Sequence, residues 1–205
     1  MSQFDQPTNR DPSSEAFEPI ENYGLVGNLE TCALVSRRGS VDWFPVPHLE
    51  SPSVFSRILD DGGGCFAVVP VDDFASAQRY RERTNVLETT FRTAEGMLRL
   101  VDFMAPLTDG ESAVSERTLY RQLDCLEGCV DLRAVFEPRF DFARTEPVLS
   151  TTTGGIHATD GDTSLCCWTT LADCSFEIDT EANHATAEAT LAAGQQEWVG
   201  VSYGG

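Results

Sequence analysis

The sequence predicts an all-β protein: a large antiparallel two-sheet sandwich with one short helix near 52–60. Short apolar–polar alternating runs follow one another from Tyr23 to Tyr203, the period of half-buried strands. The breaks between them carry Gly, Asp and Glu, which suits turns. Only one segment has helical start and stop signals, and roughly a dozen strands with apolar faces need a second sheet to cover them.

Residues 1–18 are polar, with Pro7 and Pro12 inside them, Pro19 just after, and no periodicity; they read as a flexible lead-in to a domain spanning 19–205. Leu25–Asn28 and Thr31–Ser36 read as two short strands, and the Arg38-Gly39 turn leads to a third over Val41–Phe44. Pro45, Pro47 and Pro52 break pairing, so Val46–Ser51 is a loop. Ser51-Pro52 is a helix-start signature. Val54, Phe55, Ile58 and Leu59 give that helix an apolar face, and Gly62–Gly64 end it.

Cys65–Val71 follows as a strand. Val86–Thr93 and Met97–Met104 form a hairpin around Ala94-Glu95-Gly96, and Arg117–Leu126 and Cys129–Glu137 form another. In the last of these, Val130, Leu132, Ala134 and Phe136 share one face. Thr163–Thr170, Phe176–Asp179, the alternating run His184–Leu191, and Gln196–Tyr203 complete the series.

Composition narrows the function. Asp and Glu total 33 against 14 basic residues, for a net charge of -19, and every basic residue is Arg. An acidic, Lys-free surface reads as salt adaptation, because molar salt shortens the Debye length to about 3 Å and screens self-repulsion. Nucleic acid is excluded as a partner: phosphate is bound by clustered Lys and Arg. The alternating Arg79, Arg81 and Arg83 read as one solvated strand face. No apolar run approaches the 18 or so residues of a membrane span, and no signal peptide opens the chain, so the expected location is cytoplasmic. The seven cysteines are odd in number and the three histidines scattered. Free thiols acting as small hydrophobes fit better than disulfides or zinc, and no metal or cofactor is expected.

Several segments carry a family resemblance. They are IENYGLVGN from Ile20, TCALVSRRGSVDWFPVP from Thr31, and HLESPSVFSRILD from His48. They continue with Arg79–Pro106, with LYRQLDCLEGCVDLRAVFEPRFDFAR over Leu119–Arg144, and with the closing AGQQEWVGVSYGG. Together they resemble the N-terminal β-domain of family 15 glycoside hydrolases, the prokaryotic glucoamylase and trehalase-like group, over Ile20–Gly205. The resemblance implies a β-sandwich that packs on a catalytic (α/α)6 barrel. Inverting hydrolysis there uses two carboxylates about 6.5–9.5 Å apart, leaving room for water. Those glutamates lie on the barrel, expected beyond the point where this sequence stops, so no catalytic residue is assigned here.

The expected function is therefore an accessory domain of an α-glycosidase acting on an α-glucan or trehalose, shaping the barrel but not catalytic alone. The Pro-framed loop is the candidate substrate-binding rim. Trp43 could stack on a sugar ring while His48 and Glu50 hydrogen-bond its hydroxyls. The favoured alternative makes Trp43 sandwich core, with the loop docking on the barrel. Arg139 and Asp141 could pair across a turn or bind the barrel. The competing class is a stand-alone carbohydrate-binding or protein-interaction sandwich. A sugar-binding module needs an aromatic platform, whereas Trp43, Trp168 and Trp198 each sit in separate strand patterns.

Overall fold

A computed structural model describes residues 18–105, 117–171 and 174–204. Apart from residue 18, the predicted lead-in lies outside them. The strands are β1 (Tyr23–Gly27), β2 (Cys32–Ser36), β3 (Ser40–Trp43), β4 (Cys65–Pro70), β5 (Ala75–Tyr80), β6 (Leu87–Arg92) and β7 (Gly96–Met104). They continue with β8 (Thr118–Glu137), β9 (Val148–Thr152), β10 (Gly155–Asp160), β11 (Thr163–Thr169), β12 (Glu177–Asp179), β13 (His184–Ala192) and β14 (Gln196–Tyr203). Every pairing between them is antiparallel.

One continuous 14-stranded sheet is bent into two layers, and β8 belongs to both. Its first half lies between β7 and β14, in a back layer ordered β5-β6-β7-β8-β14-β11-β10-β9. Its second half lies between β4 and β13, in a front layer ordered β1-β2-β3-β4-β8-β13-β12. This corrects the second predicted hairpin. Glu127-Gly128 does not reverse the chain but bends a single strand. The register slips beside Met97/Leu98, and Gly128 has φ +66°. A Cβ on Gly128 would lie 1.9 Å from the carbonyl oxygen of Glu95, so the bulge that switches layers requires glycine there.

Alternation directs the inward faces into one core. Val26, Val35, Phe66, Val68, Ala134 and Phe136 come from the front layer, and Phe91, Leu98, Leu100, Leu119, Leu123, Leu165, Val199 and Val201 from the back. A charge pair sits within this core. Arg121 and Asp102 are both fully buried, and Arg121 Nε donates to Asp102 Oδ1 at 2.7 Å. The same guanidinium donates to the carbonyls of Phe66 (3.0 Å) and Gly39 (2.8 Å), both in or beside front-layer strands. The pair thus ties the two layers together, with its hydrogen-bonding capacity largely satisfied.

The helix predicted near 52–60 does not form. Ser53 Oγ accepts from the Phe44 N–H at 2.9 Å and donates to the Phe55 carbonyl. Val54 N and Phe44 N pair reciprocally with Phe44 O and Phe55 O. These bonds hold the segment as a non-helical flap beside β3, the competition from Ser side chains that disfavours helix interiors. Phe55 then packs on Phe44, Phe66 and Phe136 with centroids 6.1–6.4 Å apart. A 3-10 turn at Asp61–Gly63, capped by Asp60, ends the segment. The short helical turn Phe140–Ala143 is left-handed, with φ of 49°, 56° and 63° at Asp141, Phe142 and Ala143. No helix among the described residues is long and apolar enough to cross a membrane.

Candidate functional site

One end of the front layer is built from three segments. The β1–β2 turn contributes Asn28, whose side chain accepts from the N–H groups of Glu30 and Thr31. The Pro-framed loop after β3 is held against this turn, with Thr31 Oγ1 donating to the Pro45 carbonyl and Leu49 N to the Glu30 carbonyl. The left-handed turn after β8 is the third piece, held by bonds from Arg139 N to Val54 O and from Phe142 N to Ser53 O.

Trp43 is half-buried, lies outside the core cluster, and packs on Phe142 with centroids 5.9 Å apart. His48 is 45% exposed and lies 3.9 Å from Glu30, while Glu50 is exposed. The structure therefore places Trp43 with Phe142 and His48 with Glu30; it does not join Trp43, His48 and Glu50 in one stacked or hydrogen-bonded group. What the end does display is apolar. Leu29 is 96% exposed, Leu49 55% and Phe142 39%.

Beneath it runs a polar network on the outer face of the front layer. Asp42 is buried and accepts from Tyr23 Oη at 2.7 Å and from Ser40 Oγ. Burial, reinforced by the Asp42 charge, pushes the Tyr23 phenol far upward. Burial likewise pushes the Cys65 thiol up to about 12, so it stays protonated and inert. Arg139 donates to Glu137 and to the carbonyls of Pro138, Ala182 and Asn183. It is not paired with Asp141, which instead lies 3.5 Å from Arg144. These carboxylates are engaged by donors and brace the loops. An open cleft of about 340 Å³ beside β9 is lined by a single carboxylate, Glu146, so two acids do not face each other across it.

Sequence reasoning missed a second surface, on the outer face of the back layer. Phe103, Tyr120, Trp168 and Trp198 alternate with core residues along β7, β8, β11 and β14, and none belongs to the core. Phe103 pairs in register with Tyr120, Tyr120 with Gly200, and Gly200 with Trp168. Phe103 and Tyr120 stack at 5.4 Å; Trp198 meets Phe103 edge-on at 6.1 Å, and Trp168 meets Tyr120 edge-on at 6.0 Å. A Cβ at Gly200 would lie 2.3 Å from the Trp168 indole, so the glycine lets that ring settle onto the sheet. The available signal was cross-strand: once β8, β11 and β14 are paired, these rings fall on one face.

Comparison with known proteins adds the following. Residues 13–201 match the family profile described as "Trehalase-like, N-terminal". A trehalase from Mycolicibacterium smegmatis is 38% identical over 152 residues, covering 67% of this chain and 22% of that protein. A trehalase from Thermoplasma volcanium is 35% identical over 143 residues, covering 68% of this chain and 23% of that protein. The chain thus spans under a quarter of the length of these relatives. A solved bacterial glucoamylase, crystallised with acarbose, superposes with a TM-score of 0.58 at 10% identity, over 99% of this chain and 35% of that one. At that identity it speaks to the fold.

Proposed function

Since the chain belongs to the trehalase-like N-terminal family, we propose that it is the accessory β-sandwich of an α-glycosidase, and that hydrolysis belongs to an (α/α)6 catalytic domain. The observation that carries this reading is the match over 13–201, together with trehalase relatives of which such a region makes up only 22–23%. The substrate class is an α-glucosidic disaccharide or glucan, with trehalose favoured by those relatives.

Its physical role is to dock on the catalytic domain through the end that carries Leu29, Leu49 and Phe142. Exposed leucines in a chain of net charge -19 suit a surface covered by a partner. Trp43, His48 and Glu50 then lie at the rim of the contact, with Trp43 supporting Phe142 and not itself stacking on sugar. Seven cysteines, all free, support a reducing, cytoplasmic setting.

The test is association with a separately produced catalytic domain from one of the similar trehalases. A stable complex is expected. Leu29→Asp and Phe142→Asp should each weaken it at least tenfold, and Leu29→Asp, at a position 96% exposed, should do so without changing the thermal melt of the isolated chain. Absence of a complex, or a complex indifferent to both substitutions, contradicts the assignment of this end as the docking surface.

A further inference from the structure

We propose that the outer face of the back layer is a separate saccharide-binding surface, distinct from the docking end. The rings are held before any ligand arrives. Trp168 Nε1 donates to Ser202 Oγ at 3.2 Å, and Ser202 Oγ accepts from Thr118 Oγ1 at 2.9 Å. Phe103 and Tyr120 fix each other by stacking, so little side-chain entropy remains to be lost on binding.

Beside the rings stands a strip of planar polar groups. Gln122 and Gln196 donate to Asp124 Oδ1 at 3.0 and 2.7 Å, and Arg99 donates to Asp124 Oδ2 at 2.8 Å. Burial alone would raise the Asp124 carboxyl. Hydrogen bonds from Gln196, Arg99 and Gln122 outweigh that and hold it below the ordinary carboxylate range.

The combination selects the ligand class. Half-buried aromatic rings offer faces and edges to the C–H side of a flat ring, and the amides offer donors and acceptors to its hydroxyls. Arg99 and Asp124 are mutually neutralised, so the strip directly beside the rings offers amides and a paired carboxylate to a ligand. An anionic polymer is opposed by the net charge of -19. A protein interface would bury this strip of amides and carboxylate, whereas a hydroxylated ligand can bond to it. A neutral oligosaccharide lying across β7, β8, β14 and β11 meets each condition. The choice of α-linked glucose as first probe rests on the family reading; the surface itself does not.

The experiment uses the full chain, with calorimetry and tryptophan fluorescence, against maltoheptaose, trehalose and cellohexaose. Saturable binding of at least one sugar is expected, weakened at least tenfold by Trp168→Ala. Gln196→Ala, at an exposed position, should keep a cooperative melt and weaken binding several-fold, which guards against a misfolded Trp168 variant. Trp43→Phe should bind as the unaltered chain does. Absence of saturable binding to all three sugars overturns the proposal. So does protection of 166–168 and 198–200 from hydrogen exchange by an added catalytic domain, which would make this face a protein interface. Either failure leaves the accessory-domain reading intact, because that reading is tested by association through Leu29 and Phe142.

Discussion

Arg121 carries the heaviest single load in the core. It is fully buried, reaches across the layers, and cannot lose its proton. Truncating it strands the buried Asp102 carboxylate. Arg121→Leu should therefore cost about 3–5 kcal/mol in urea unfolding, while the double change Arg121→Met with Asp102→Leu should cost distinctly less. Equal losses would mean that the pair is not coupled. This residue was invisible in sequence, because an Arg at an inward position of an alternating strand looks like a register error. Trp43 was only half legible. Its semi-burial follows from its strand, but its partner Phe142 arrives from a left-handed turn that no periodicity signals. Glu88 offers a pH test. Burial opposes its charge, but hydrogen bonds from Arg81 and Arg79 prevail and keep its folded pKa below the ordinary value. Its stabilisation is present above the unfolded carboxylate pKa of about 4.3 and fades as pH falls through the lower folded value. Glu88→Gln should flatten the acid side of the melting-temperature profile; an unchanged acid limb contradicts this assignment.

At the scale of elements, β8 decides the architecture. Its bulge places a glycine at positive φ where a Cβ would meet the Glu95 carbonyl. Gly128→Ala should destabilise by about 1–3 kcal/mol, measured by thermal melting, whereas Gly194→Ala, where a Cβ meets nothing within 4 Å, carries only the backbone part of that cost. Matching losses would remove the steric argument. Strands with strong alternation, such as β7, the second half of β8, and β14, were legible from the sequence. β9 and β10 were not, and of β5 only the solvated face at Arg79 was: the strand ends at Tyr80, and Arg83 lies in the following turn at φ 60° instead of on the expected strand face. Ala75–Tyr80 and Val148–Thr152 are short, polar and at the sheet edges, where side chains need not alternate because one or both faces meet water; Gly155–Asp160 does alternate, but only Ile156 and Ala158 mark its inward face, too few apolar positions to stand out. The Glu127-Gly128 pair misled in the opposite direction, since a bulge glycine and a hairpin glycine look alike until β7 is seen pairing across both. The apparent helix failed because Ser53 satisfies backbone groups of Phe44 and Phe55 before a helical ladder can.

For the whole molecule, two claims follow from charge and from family. A net charge of -19 without Lys predicts self-repulsion that salt relieves, so the melting temperature should rise steadily from 0.1 to 2 M NaCl. A flat or falling curve would show that the chain is not salt-adapted. The all-β class and sandwich architecture were readable from alternation alone, and the family from its motifs. The aromatic face was not readable, because it exists only after β11 and β14 are set beside β7 and β8. The sandwich is proposed to support hydrolysis performed by a separate catalytic domain. The decisive measurement is trehalose and maltose hydrolysis by the purified chain, alone and after addition of a trehalase catalytic domain. No turnover is expected from the chain alone, and turnover should rise when the two are combined. Sustained hydrolysis by the isolated chain would contradict that role.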